Sequence, residues 1–115
     1  HRFYDIWLKF ALWEEMLFRA GSEKWNWRER FWASAVFGVA HIANIWYSLA
    51  AGIALGLTGF GLMLIYQWTY RKTKDQVLAT AVSGSVHAMY NVIAITVLAV
   101  AMVFALGSML IMFLL

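Results

Sequence analysis

Across residues 76–115 the chain offers no clear break in its apolar character, a run too long for one ordinary membrane span of roughly 17–25 residues. Composition points the same way. The 115 residues are 63% hydrophobic and 13% charged, with no Pro and no Cys. A soluble domain carries about 25% charged residues, and lipid is the simpler solvent for so large a deficit. The formal net charge of +3 is small and reflects loop residues, which speaks against a nucleic-acid-binding surface. The lack of Cys excludes disulfides and thiolate metal sites. No short apolar stretch followed by a small-residue cleavage site marks a signal peptide. The chain begins at His1 and ends inside an apolar run, so residues 1–115 read as one domain, the core of a longer protein cut at both ends.

Spanning helices are expected over about 3–19, 31–47 and 52–70, with a fourth starting near Gln76. Either that fourth helix overshoots or a fifth begins after about Val97, with Gly107-Ser108 as the only weak turn signal late in the run. The expected fold is therefore all-α, a polytopic transmembrane bundle of four to five helices. Loop 20–30 holds Lys24, Arg28 and Arg30, and loop 71–75 holds Arg71, Lys72 and Lys74, whereas link 48–51 holds no basic residue. With alternating spans both basic loops fall on one face. The positive-inside bias makes that face cytoplasmic in a multi-pass cell-membrane protein. Trp25, Trp27, Trp32, Trp68 and Tyr70 would line the cytoplasmic interface, and Trp46 and Tyr47 the other. Tyr66, Gln67 and Thr69 lie beside a basic loop, and the interface accounts for them. Gly52-x-x-x-Gly56 is read as helix packing.

Polar groups inside these spans need a separate account, because ionisable residues in lipid are costly and face a bundle interior or a water cavity. In Glu14-Glu15-x-x-x-Arg19, Glu15 and Arg19 are four apart and can pair on one helix face. Glu14, about 100° away, is aimed elsewhere. The alternative is that all three sit solvated at the interface. His41 lies in Phe37-x-x-x-His41 and could be a hydrogen-bonded packing residue. His87 and Asn91 stack on one face at four-residue spacing, where they could equally join two helices. Depth favours a common cavity. At about 1.5 Å per residue, His41 lies ~15 Å and His87 ~16 Å from the cytoplasmic starts of their helices, and Glu14 ~10 Å from the end of its own.

A carboxylate and a His beside one water can activate it as a nucleophile. A second His and an Asn aimed at one point can stabilise a tetrahedral oxyanion. Those parts suit amide hydrolysis without a cofactor. Serine catalysis is less supported: Ser34, Ser83 and Ser85 lack a nucleophile setting, and no Asp lies deep in a span to orient a His. Zinc is possible but not favoured, since Glu and two His could supply three ligands but no HExxH pair occurs.

In order and spacing, Glu14-Glu15-x-x-x-Arg19, Phe37-x-x-x-His41 and His87-x-x-x-Asn91 resemble the three motifs of the CAAX prenyl protease and bacteriocin-processing family, the Abi-type glutamate intramembrane proteases. The resemblance covers residues 14–91. It implies an endopeptidase in which Glu14 and His41 activate water, His87 and Asn91 form the oxyanion hole, and Glu15 and Arg19 support the site. It implies membrane lipid and a peptide or membrane-protein substrate as partners, and no nucleic acid. Family members often have Gly directly after the motif-one Arg, where this chain has Ala20 before Gly21. A non-catalytic membrane scaffold or bacteriocin self-immunity protein on the same bundle is the alternative.

Overall fold

Without a single Pro to interrupt it, the chain forms four α-helices: α1 (Arg2–Phe18), α2 (Trp27–Asn44), α3 (Leu49–Thr73) and α4 (Gln76–Leu114), with a 3-10 turn at Ser22–Lys24 between the first two. The computed structural model describes residues 2–44 and 49–114, among which there is no strand. The stretches Gly52–Thr73 and Gln76–Leu114 are long and apolar enough to cross a membrane. The first helix carries Asp5, Lys9, Glu14 and Glu15 along its length, and α2 opens on Arg28, Glu29 and Arg30. The proposed interfacial pair Trp46 and Tyr47, and Ser48 of the expected link, lie outside the described residues. The rest of that link, 49–51, belongs to α3.

Two helix starts are written in their caps. The Asn26 side chain accepts hydrogen bonds from the Arg28 and Glu29 backbone N–H groups at 2.9 and 3.0 Å, and Glu29 Oε2 accepts from Asn26 N at 2.7 Å. This reciprocal capping box satisfies donors that a helix start leaves without partners. Asp75 caps α4 through its Oδ1, which accepts from Leu78 N at 3.0 Å. Just before it, Lys74 takes the left-handed backbone conformation (φ 57°) that turns the chain from α3 into α4.

The last helix resolves the open choice between an overshooting helix and a fifth one. It runs 39 residues unbroken, about 58 Å at 1.5 Å per residue and roughly twice the hydrocarbon thickness. Gly107-Ser108 does not turn. Ser108 instead returns its hydroxyl proton to the Phe104 carbonyl at 2.9 Å, one helical turn back. Every residue from Ile93 to Leu114 is exposed, so the first half of α4 carries its contacts with the bundle.

Around the core, α2 lies against α3, α3 against α4, and α4 against α1. The α2–α3 contact is backbone on backbone. A methyl group at Gly38 would stand 2.8 Å from the Gly52 carbonyl oxygen and 2.9 Å from the Gly56 nitrogen. The small-residue spacing in α3 therefore has its partner in α2, and without side chains between them the helices approach closely. Between α1 and α4 the contact is side chain on backbone, with Leu12 Cδ2 2.6 Å from where a Gly84 side chain would begin.

One end of the bundle is closed by a polar latch. The Tyr66 hydroxyl donates to Glu23 Oε2 at 2.8 Å and accepts from Gly21 N at 3.2 Å. Gln67 Nε2 donates to Ser22 Oγ at 2.9 Å, and Gln76 Nε2 donates to Glu23 Oε1. Residues 22–24 thus sit directly beside the start of α4, and the two basic links share one end of the molecule. Tyr66, Gln67 and Thr69 are buried, so the expectation that they are interfacial is corrected. Tyr66 and Gln67 hold the turn between α1 and α2, and Thr69 bonds the Ile65 carbonyl of its own helix. Burial pushes the Glu23 carboxyl up. Its own backbone N–H, the Tyr66 hydroxyl, the Gln76 amide and nearby Lys24 outweigh this and hold it below the ordinary carboxylate range.

Two outcomes follow for purified protein in detergent. Gly38→Ala is expected to cost about 1–3 kcal/mol, because the obstructing atoms are backbone and cannot rotate away; a fall in the thermal midpoint relative to Gly61→Ala, whose site is open, checks it. The lowered Glu23 carboxyl stabilises the fold above its unfolded value near 4.5. That contribution disappears as pH falls through the folded value. The midpoint difference between wild type and Glu23→Gln should therefore be level above pH 4.5 and shrink below it.

Candidate active site

Adjacent residues on a helix point about 100° apart, and α1 uses this to split its two glutamates. Glu15 is fully buried and Glu14 retains a quarter of its exposure. Glu15 pairs with Arg19 one turn on, itself 1% exposed. The same carboxylate accepts from Ser83 Oγ at 2.5 Å and lies 3.1 Å from His87 Nδ1, both on α4. Arg19 Nε and Nη2 donate to the Gly59 carbonyl of α3 at 3.4 and 3.3 Å, and its guanidinium lies 4.8 Å from the Phe37 ring centroid. A buried charge pair is tolerable only with its remaining donors and acceptors satisfied; here α3 and α4 supply them.

Glu14 faces the other way. Its Oε2 lies 3.4 Å from His87 Nε2, and its Oε1 lies 3.8 Å from His41 Nε2. His87 is 3% exposed and His41 29%. Both rings are oriented from behind. His87 Nδ1 faces Glu15, and His41 Nδ1 lies 2.7 Å from the Phe37 carbonyl, an acceptor one turn back. An acceptor at Nδ1 places the proton there and leaves the neutral ring a lone pair at Nε2. Two such lone pairs and a carboxylate, all acceptors, then converge. A proton shared among them, or a donating molecule between them, resolves the conflict. Phe37 fills the space behind: its ring centroid lies 4.4 Å from that of His41 and 5.7 Å from that of His87, edge-on to the latter.

These groups open onto one cavity of about 570 Å³. Glu14, Phe37, His41, His87 and Asn91 all line it, and Asn91 makes no hydrogen bond to a described residue. The remaining wall is mostly apolar and aromatic, from Ile6, Trp7 and Phe10 on α1 and Tyr90 on α4, with Thr58 on the α3 side. The four sequence-derived candidates thus meet in one place, and Glu15 with Arg19 stands behind them. One detail differs from the expected division of labour. His87 is oriented by Glu15 and directed at Glu14, so it belongs to the same cluster as Glu14 and His41 as well as standing beside Asn91. Sequence reading also missed two supporting groups. Ser83 lies one turn before His87 on the face that carries Asn91, so its spacing was a usable signal. The Gly59 carbonyl left none, because a helical carbonyl has no side-chain signature. Among the described residues no three His, Cys, Asp or Glu side chains are arranged to hold a metal ion.

No protein-family model, curated protein or solved structure matches this chain.

Arg19→Gln leaves Glu15 buried without its counter-charge and is expected to cost about 3–5 kcal/mol. Glu15→Leu with Arg19→Met removes both charges and should recover much of that stability while freeing His87. Thermal midpoints for the folding effect, with the two-dimensional NMR signal of the His87 ring as reporter of its orientation, test both parts.

Proposed function

We propose that this chain is the core of a multi-pass intramembrane endopeptidase of the CAAX prenyl protease and bacteriocin-processing type, with the two basic links on the cytoplasmic side. The observation that carries the reading is the convergence of Glu14, His41, His87 and Asn91 on one cavity, in the order and spacing of that family's three motifs. Two helices long and apolar enough to span a bilayer, and the shared end of the basic links, support the membrane placement.

In this mechanism a water donates to both Glu14 Oε1 and His41 Nε2, which stand 3.8 Å apart and part slightly to admit it at ordinary hydrogen-bond lengths. As its oxygen attacks the scissile carbonyl carbon, Glu14 takes the proton. The carbonyl oxygen becomes an oxyanion and accepts from the Asn91 amide. It also accepts from His87 Nε2 when that ring carries both protons, with the Glu15 carboxylate at Nδ1 balancing the charge. Collapse of the intermediate breaks the C–N bond, and the proton on Glu14 passes to the leaving nitrogen. The apolar walls suit a substrate of apolar side chains and exclude bulk water, which strengthens each of these interactions.

The test is cleavage of a panel of membrane-protein substrates by the reconstituted enzyme, with new termini read by mass spectrometry. Glu14→Gln and His41→Ala should each lower the rate about 10²–10⁴-fold, while Arg28→Gln, on the exposed first turn of α2, leaves it unchanged. Equal cleavage by wild type and Glu14→Gln overturns the reading.

A further inference from the structure

On the side of α2 and α3 that does not line the polar cavity, two hollows run into each other. One, of about 500 Å³, is walled by apolar and small side chains of the two helices and lies over the Gly52–Gly56 stretch. The other, of about 610 Å³, continues from it through the shared walls Phe31 and Phe60 to the end of the bundle where the basic links lie. Their linings differ in kind. The first contains no charged residue. The second holds Arg30 and Arg71 flanked by Trp27 and Trp68, and no acidic residue.

The two arginines are not spent on each other or on a carboxylate. Arg30 gives two donors to backbone carbonyls, Ser22 at 3.1 Å and Glu23 at 3.4 Å, and keeps its charge. Arg71 has no hydrogen bond or ion pair to a described residue. A third cation, Lys72, sits 3.9 Å above the Trp68 ring. Charge left unpaired at the mouth of an apolar groove sets a definite demand on what fills it: an anionic head at the level of the basic links and a long apolar tail running along the helices. Basic pockets between membrane helices on the cytoplasmic side meet that demand with anionic lipid, and tryptophans at the mouth mark the headgroup level.

We infer that the α2–α3 groove is a binding site for one anionic phospholipid, its phosphate held by Arg30 and Arg71 and one of its two acyl chains lying from Phe31 and Phe60 toward Val39 and Leu57. The inference rests on the membrane placement proposed above but not on proteolysis. It concerns a face apart from the cavity, since residues 53, 57 and 60 of α3 line the groove whereas 54, 55 and 58 line the cavity. The bound lipid would bridge the turn after α1 to the end of α3 and so brace the latch that closes this end.

The experiment measures binding of dioleoyl phosphatidylglycerol and dioleoyl phosphatidylcholine to the full chain, extracted from membranes in neutral detergent, by native mass spectrometry. Wild type should retain one phosphatidylglycerol and prefer it over phosphatidylcholine by an order of magnitude or more. Arg71→Gln should lose about fivefold of that preference with an unchanged thermal midpoint in lipid-free detergent, since the side chain holds nothing else. Leu57→Trp, a change at an exposed position, should block the tail and weaken both lipids, and millimolar inorganic phosphate should not displace the lipid. Equal retention of the two lipids by wild type, or an Arg71→Gln protein indistinguishable from it, overturns the site. So does a wild-type dimer that Leu57→Trp converts to monomer without change in lipid retention, which assigns the groove to a second copy of the chain. Recovery of the wild type in the aqueous fraction before detergent is added overturns the membrane placement as well, and separates that failure from the others.

Discussion

The buried Glu15–Arg19 pair is the constraint on which the rest of the arrangement depends. Taken alone such a pair gains little, because the loss of hydration of two ions about cancels their attraction. Its effect comes from what must surround it. Glu15 has further lone pairs to satisfy, and α4 supplies Ser83 and His87. Arg19 has further protons to place, and α3 supplies the Gly59 carbonyl. One ion pair on one turn of α1 therefore dictates how two other helices must stand against it. In doing so it turns His87 so that its free nitrogen meets Glu14. The half-buried carboxylate of Glu14 gets its setting from the buried one of Glu15.

Much of this was legible in the residues themselves. The four-residue spacing of Glu15 and Arg19, and the 100° offset that sends Glu14 elsewhere, follow from helix geometry alone. So does the stacking of His87 and Asn91. That Glu14, His41 and His87 reach one cavity could be argued from similar distances along their helices, and side-chain geometry then supplies the contacts. What was not legible has physical reasons. Ser83 was passed over because a serine in an apolar helix commonly bonds its own backbone, so its chemistry alone gives no hint of a partner on another helix. Gly38 went unnoticed because a close approach needs small residues on both helices, and the partner's are visible only once the two are paired. Tyr66 and Gln67 looked interfacial because sequence gives their depth but not the direction they face.

The length of the last helix is the other point at which local signals were silent. Residues 76–115 contain no strong breaker, and periodicity cannot place a turn where no residue demands one. The unbroken α4 shows that Gly107 and Ser108 were insufficient: a glycine costs a helix only about 1 kcal/mol, and the serine's hydroxyl bonds back to the helix it might have ended.

The glycine contact between α2 and α3 has a consequence for movement. With backbone touching backbone, these two helices have little freedom to slide, and the chain has no proline to kink a helix. Leu12 against Gly84, with the Glu15 bonds to Ser83 and His87, couples α1 to α4 in the same way. Between the two pairs the ties are the packing of α3 on α4 and the Arg19 bonds to the Gly59 carbonyl. His41 rides on the first pair, and Glu14, Glu15 and His87 on the second. A shift of one pair against the other would therefore alter the Glu14–His41 separation while leaving the bonds that orient His87 within a single pair. Of the contacts in the cluster, the 3.8 Å gap between Glu14 and His41 is the one that spans the two pairs.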